Sequence, residues 1–143
     1  MRRTLSTLAM LGITAAVVLV GISPADAAVP TCDGATCYGK DPTRTYSGID
    51  GYRCDAGAYT PGNGQAAVST AEGYIELRYG PHCHANWARI SNAVSGAWFW
   101  VQNANGDSLQ YFVPTGWTSE YGDMVNGYPL ARAGGTGGHT GWY

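Results

Sequence analysis

The segment from residue 73 to residue 90 constrains the fold of this 143-residue chain more than any other part. Apolar and polar side chains alternate over residues 74–79, which predicts a strand with one buried face. Gly80 and Pro81 end this strand, and an apolar pattern resumes at residues 87–90. The pattern indicates an antiparallel hairpin with Cys83 in its bend.

Further short strands are predicted on both sides of this hairpin. Residues 66–69 suit a short strand, and residues 97–102 and 108–113 suit two antiparallel strands joined by a tight Asn-Gly turn. Because residues 97–102 are apolar on both faces, we expect that strand to be central in its sheet. Other short strands are predicted at residues 117–121, 124–125 and 130–133. The predicted fold class is all-β, a small disulfide-stapled antiparallel sandwich or barrel with a loop-rich N-terminal segment.

The first residues have the form of a secretory leader. Arg2 and Arg3 precede an uncharged, mostly apolar run over residues 5–20, and residues 25–27 read Ala-Asp-Ala, a small-x-small cleavage site. We predict a signal peptide at 1–27 and one secreted, extracellular β domain at 28–143, with no membrane insertion after cleavage. A membrane anchor and a twin-arginine signal are the alternatives. Within the domain we expect a disulfide-stapled loop region at 28–72, antiparallel strands at 73–133 and a flexible Gly-rich tail at 134–143.

The charge balance argues against nucleic acid as a partner. Without the predicted leader, six basic and nine acidic residues remain, a net charge of −3, and Lys40 is the only lysine. A protein that neutralises phosphates needs a basic stripe, and this chain has none.

Four cysteines lie in the predicted mature domain. An even number in an exported chain predicts two disulfides, and three connectivities are possible. We favour Cys32 with Cys37 and Cys54 with Cys83. A zinc site that adds His82 and His84 to these cysteines is the alternative, but the spacing lacks the close Cys pair and spaced His pair of zinc modules. No metal or cofactor is therefore expected.

Three sequence blocks carry a resemblance to a known family. They are Cys-Asp-Gly-Ala-Thr-Cys-Tyr-Gly-Lys-Asp-Pro at 32–42, Ile-Glu-Leu-Arg-Tyr at 75–79 and Trp-Ala-Arg-Ile at 87–90. With them the chain resembles the YjfA-like family of small exported bacterial proteins, a domain of unknown function. The resemblance implies export and a similar fold, with closing strands at 124–125 and 131–133. An insertion at 46–53 and the absence of a late cysteine near Ala133 depart from the family pattern.

Charged residues of the hairpin suit a structural role. Glu76 and Arg78 share one face of their strand, and Arg89 is expected opposite them on the returning strand. We predict an ion pair that fixes the register of the hairpin, and a ligand-binding charge cluster is the alternative. His82 and His84 are expected to be solvated turn residues, with a metal-binding or pH-sensing pair as the alternative.

No catalytic motif is present in the sequence. It has no Gly-x-Ser-x-Gly elbow, no His-Glu-x-x-His helix and no phosphate-binding loop. Glu72, Glu76 and Glu120 could supply the carboxylate pair of a glycosidase only at a separation that a sequence does not give. We therefore predict that the chain is not an enzyme.

The aromatic residues are the strongest indication of function. Some must reach the surface, where flat rings favour protein hot spots or sugar faces, although they could also fill a core poor in Leu and Ile. The predicted function is a secreted non-catalytic binding module or adaptor that docks to another extracellular protein, alone or in a larger secreted assembly such as a toxin complex. Alternatives are a carbohydrate or cell-wall binding module using Trp98, Trp100 and Trp117, and a secreted protease inhibitor. The candidate binding residues are Trp98, Trp100, Tyr111, Trp117 and Tyr121.

Overall fold

Short strands account for nearly all regular secondary structure in this computed structural model, which describes residues 27–143. The predicted signal peptide, except for its last residue, lies outside the described residues. In chain order the strands are β1 (Thr31–Cys32), β2 (Tyr46–Ser47), β3 (Ala67–Thr70), β4 (Gly73–Gly80), β5 (Ala85–Ser91), β6 (Trp98–Asn103), β7 (Ser108–Phe112), β8 (Ser119–Tyr121), β9 (Val125–Asn126), β10 (Ala131–Gly135) and β11 (Gly138–His139). A 3₁₀ turn at Gly34–Cys37 follows β1. Within this range no helix has the length and apolar character that a membrane span requires.

Two antiparallel sheets contain most of these strands. One has the order β3-β4-β5-β8, with β9 paired to the other end of β5, and the second has the order β11-β10-β6-β7. Strands β1 and β2 form a separate parallel pair in the N-terminal segment. The predicted all-β, antiparallel, disulfide-stapled fold is confirmed. Neither sheet closes on itself over residues 27–143, so the barrel alternative is wrong.

The core lies between the inner faces of the two sheets. Strands β4 and β5 contribute Ile75, Leu77 and Ile90, and β6 contributes Phe99 and Val101, all essentially inaccessible to solvent. These residues alternate with outward-facing neighbours, as the period of a β-strand requires. Burial of their apolar surface is the main force that holds the sheets together.

The turn between β6 and β7 is held by a buried asparagine. Asn103 Oδ1 accepts hydrogen bonds from the backbone N–H groups of Asn105, at 3.1 Å, and Asp107, at 3.0 Å. Gly106 follows with φ +97°, a conformation that favours glycine. The turn fixes the register in which Trp98 lies opposite Phe112.

The N-terminal segment forms a second, smaller core on the outer face of the five-stranded sheet. Both predicted disulfides are present and join Cys32 with Cys37 and Cys54 with Cys83, the pairing favoured from the sequence. The four sulfur atoms lie within 4.8 Å of one another, and they pack against Trp87 of β5. The molecule therefore has three layers, which are the N-terminal segment, the five-stranded sheet and the four-stranded sheet.

The Gly-rich C-terminal segment differs from the flexible tail expected at 134–143. Strand β10 continues to Gly135, and β11 pairs with it. Tyr143 and Ala131 exchange two backbone hydrogen bonds of 2.8 and 2.9 Å. Glycine suits this position because a Cβ atom on Gly134 would meet the Trp100 indole at 2.5 Å. Backbone pairing of this kind leaves no apolar periodicity in a sequence.

Candidate binding surface

The outer face of the four-stranded sheet carries an aromatic patch that includes two of the predicted binding residues, Trp98 and Trp100. Along β6, Phe99 and Val101 point into the core, so Trp98 and Trp100 point outward. Phe112 of β7 pairs with Trp98 and is 64 % exposed. Arg132 of β10 and Trp142, which is 42 % exposed, complete the patch. We call these five residues the tryptophan surface.

Arg132 lies between two indole rings of this surface. Its guanidinium carbon is 4.4 Å from the centroid of Trp142 and 5.5 Å from that of Trp100, distances at which a cation is attracted to a ring face. Its Nη2 donates a 3.0 Å hydrogen bond to Gln102 Oε1. The guanidinium is thus held in place before any partner binds.

A shallow groove of about 260 Å³ crosses the tryptophan surface. Besides Trp98, Trp100 and Arg132 it is lined by polar side chains, namely Gln102, Ser108 and Gln110. Flat rings next to amide and guanidinium groups can bury apolar surface and form directed hydrogen bonds at the same time. Such a groove can recognise a protein side chain or a sugar ring.

The other predicted binding aromatics do not belong to this surface. Tyr121 lies on β8, where it pairs with Arg89, and Trp117 precedes the same strand. Both line a small pocket of about 130 Å³ with Arg89 on the outer face of the five-stranded sheet. The structure therefore separates Trp117 from Trp98 and Trp100 and places them on opposite sides of the molecule.

Tyr111 faces inward, toward the core. Its ring packs against Phe99, with the ring centroids 5.9 Å apart. Burial raises the pKa of Tyr111 to about 12, and the nearby carboxyl of Asp123 also acts on this hydroxyl. Burial likewise raises the pKa of Asp123 above its usual range. Tyr111 therefore supports the sheet and is not part of an exposed surface.

The charged residues of the hairpin form one network on the outer face of β4 and β5. Glu76 lies directly opposite Arg89, whose Nε donates a 2.9 Å hydrogen bond to Glu76 Oε2. Arg78 Nη1 is 3.9 Å from Glu76 Oε1. Burial acts to raise the pKa of Glu76, but the hydrogen bonds from Arg89 and Thr60 outweigh it, so the pKa is lowered. Glu76 thus stays ionised between two guanidinium groups.

Both histidines of the hairpin bend pair with carboxylates of the N-terminal segment. His82 Nδ1 is 2.7 Å from Asp50 Oδ2, and His84 Nδ1 is 2.7 Å from Asp33 Oδ1. Each imidazole also stacks on a tyrosine ring, His82 on Tyr52 and His84 on Tyr128. The histidines therefore tie the N-terminal segment to the hairpin. The four cysteine sulfurs are bonded in pairs, so in this state they provide no thiolate ligands for a metal.

Comparison with known proteins gives one match. A family model described as a protein of unknown function, DUF2690, matches residues 35–134. The chain belongs to the DUF2690 family. No curated protein and no solved structure matches it. The DUF2690 region includes Trp98, Trp100, Phe112 and Arg132 but ends before Trp142. Because the DUF2690 family has no assigned activity, its function has to be argued from the geometry of the chain.

Sequence reasoning missed several residues that the fold brings together. Phe112 and Arg132 were not among the predicted binding residues, although the alternation along β7 places Phe112 on the outward face. The partners Asp33 and Asp50 of the two histidines lie more than thirty positions away in the sequence, at separations of 51 and 32. No local pattern connects residues at such distances.

Proposed function

We propose that this DUF2690 chain is an exported, non-catalytic binding module that docks another extracellular protein through the tryptophan surface. The carrying observation is the orientation of β6, which fills the core with Phe99 and Val101 and places the half-buried Trp98 and Trp100 on the outer face of the sheet. These two indoles are not needed to fill the core. Trp and Arg are the residue types that most often dominate the binding energy of protein interfaces.

The rigidity of the surface supports docking. Trp98 and Trp100 stand on the central strand of their sheet, and Arg132 is held by Gln102 and two rings. Less side-chain entropy is lost on binding when such groups are already ordered. Polar residues on both sides of the indoles, Gln102 and Gln110, resemble the polar rim of an interface.

Three further observations support export and a non-catalytic role. The leader pattern at 1–27 and the two disulfides suit an oxidising compartment. In each His–Asp pair a tyrosine ring stacks on the imidazole, an arrangement that suits a structural role. We assign the chain, as part of this proposal, to the YjfA-like exported proteins that its sequence blocks resemble.

A carbohydrate is the second candidate ligand of the tryptophan surface. The groove of about 260 Å³ sets two indole faces beside the amides of Gln102 and Gln110 and the hydroxyl of Ser108. Rings can stack on sugar faces, and amides can hydrogen-bond to sugar hydroxyls. This arrangement gives the cell-wall alternative a specific geometry.

Affinity purification with the purified chain as bait tests the proposal. Proteins retained from culture supernatant would be identified by mass spectrometry and compared between wild type, Trp100→Ala and Trp117→Ala. We expect a defined partner whose affinity falls about 30-fold in Trp100→Ala, the size of a hot-spot loss, and is unchanged in Trp117→Ala. Trp117→Ala is the matched control because it removes the same type of side chain from the loop before β8, away from the tryptophan surface.

A parallel assay on peptidoglycan and polysaccharides separates the two candidates. Retention that Trp100→Ala abolishes would favour the sugar. Binding of the protein partner that is equal in all three chains would refute docking through this surface. Near-ultraviolet circular dichroism of each variant checks that the sheet is intact.

A further inference from the structure

A second concave site lies on the outer face of the five-stranded sheet, where the N-terminal segment covers it incompletely. This cavity has a volume of about 180 Å³, and both Arg78 of β4 and Arg89 of β5 line it. Their side chains are 18 % and 46 % exposed. The cavity is on the opposite side of the molecule from the tryptophan surface, so the two sites are independent.

The cavity has more positive than negative charge. Arg78 and Arg89 share one carboxylate, Glu76, whereas the second carboxylate of the cavity, Asp55, already pairs with Arg53. Three arginines, Arg53, Arg78 and Arg89, are thus matched by two carboxylates, Glu76 and Asp55, which leaves one positive charge in excess. Burial lowers the pKa of Arg78, and the charge of Arg89 lowers it further, which is the expected effect of two cations that are not fully neutralised.

The guanidinium of Arg78 is held in place by the N-terminal segment. Its Nη1 donates to Thr60 Oγ1 at 2.9 Å, and its Nη2 donates to the carbonyl of Ala58 at 2.7 Å. Within residues 27–143, Arg78 Nε and Arg89 Nη1 have no hydrogen-bond partner. A singly charged oxyanion can use such free donors without displacing the existing bonds.

Two features favour a sugar as the carrier of this anion. The exposed ring of Tyr121 lines the cavity, and its hydroxyl is 3.1 Å from Thr43 Oγ1. The pocket of about 130 Å³ that contains Trp117 continues from the same Arg89 and Tyr121. Asp55 can accept hydrogen bonds from sugar hydroxyls but repels a second negative charge, which disfavours phosphate dianions and acidic peptides.

We propose that this cavity binds a uronate, a sugar ring that bears a carboxylate, with the carboxylate beside Glu76 on the free donors Arg78 Nε and Arg89 Nη1 and the ring against Tyr121. The cavity is smaller than the roughly 300 Å³ at which sites for drug-sized ligands begin, so it takes one terminal sugar unit. The adjoining pocket, which Trp117 and Glu120 line, takes an uncharged next unit of the oligosaccharide.

NMR titration of the full chain tests this site. The probe is the singly charged monosaccharide galacturonate, compared with neutral galactose, inorganic phosphate and a triglutamate peptide. We expect the uronate to shift the backbone amide signals of Thr43, Asp55 and Tyr121 and the neutral sugar to leave them unchanged. Arg78→Gln should weaken uronate binding about tenfold. Arg44→Gln, which removes the same charge from a side chain that is 85 % exposed, should change it less than about twofold.

Four outcomes would overturn the proposal. They are an absence of shifts in the wild type up to about 10 mM uronate, equal affinity for the neutral sugar, binding of phosphate or triglutamate at least as tight as that of uronate, and equal effects of Arg78→Gln and Arg44→Gln. If Arg78→Gln does not fold, the wild-type shifts and their weakening with added salt still decide the question. Loss of this site would leave the docking proposal untouched, because Trp98 and Trp100 lie on the other sheet.

Discussion

The two disulfides differ in how much of the chain they close, and this predicts different costs for their removal. Cys54 and Cys83 are 29 residues apart, whereas Cys32 and Cys37 are 5 apart. The perturbation is a pair of double variants, Cys54→Ala/Cys83→Ala and Cys32→Ala/Cys37→Ala. All four cysteines are buried in the same cluster, so the packing lost by each variant is similar and the difference reports the closed loop.

The loop-entropy relation gives the expected magnitudes. Closing a loop of 29 residues lowers the conformational entropy of the unfolded chain by about 12 cal/mol/K. The long bridge therefore contributes about 3.6 kcal/mol to the free energy of unfolding at 25 °C. The short bridge contributes about 2.1 kcal/mol by the same relation. For a domain of this length, 1 kcal/mol corresponds to about 4 °C in Tm, so we expect losses of about 15 °C and 8 °C.

Thermal and urea unfolding of both variants and the wild type measure these values. The long-bridge variant should be less stable than the short-bridge variant by about 1.5 kcal/mol. Equal losses, or a larger loss for Cys32→Ala/Cys37→Ala, would refute the reasoning, because the closed loop would then not determine the stabilisation. Reduction of the wild type before unfolding should give at least the larger of the two losses.

Two further predictions follow from the packing. Gly34→Ala should lower the free energy of unfolding, measured in urea, by about 1 kcal/mol more than Gly39→Ala does. Both glycines have positive φ, but only at Gly34 would the new methyl group collide with the Tyr128 ring. Equal losses in the two variants would contradict this packing. Tyr111 should ionise last among the ten tyrosines, near pH 12, and Tyr111→Phe should remove that final step from an ultraviolet titration. Because folding raises this pKa, the stability it gives is present below about pH 10 and is lost as the pH rises through about 12; a titration identical in both chains would contradict the buried position of Tyr111.

Much of the sheet structure could be predicted because its signal is local. The alternation at residues 74–79 corresponds to β4, and the aromatic alternation around Phe99 corresponds to β6, the central strand of its sheet. In β4 the apolar residues Ile75 and Leu77 face the core while charged residues lie between them, and in β6 the continuous apolar run marks an interior strand of its sheet. The Asn-Gly turn is equally local, since Asn103 bonds to backbone groups only two and four residues ahead.

The candidate sites were harder to predict because their members come from distant segments. Trp98, Trp100 and Trp117 looked equivalent in the sequence, yet they lie on opposite faces, because β8 joins the five-stranded sheet and β6 the other. Strand order decides this separation, and strand order is set by the packing of the whole core. The C-terminal pairing of Tyr143 with Ala131 relies on backbone groups alone, which every sequence contains.

The layered arrangement connects the N-terminal segment with both proposals. Cys54 anchors the part of this segment that supplies Asp55, Ala58 and Thr60, and these residues line the uronate cavity or hold Arg78 in it. The tryptophan surface stands on β6, β7 and β10 of the other sheet, and the N-terminal segment reaches its groove through the 3.4 Å hydrogen bond that the Tyr38 hydroxyl donates to the Ser108 carbonyl. The fold thus provides two faces on one scaffold, each carried mainly by a different sheet. A module of this form could hold a protein on one face and an acidic polysaccharide on the other, which is the property an extracellular adaptor requires.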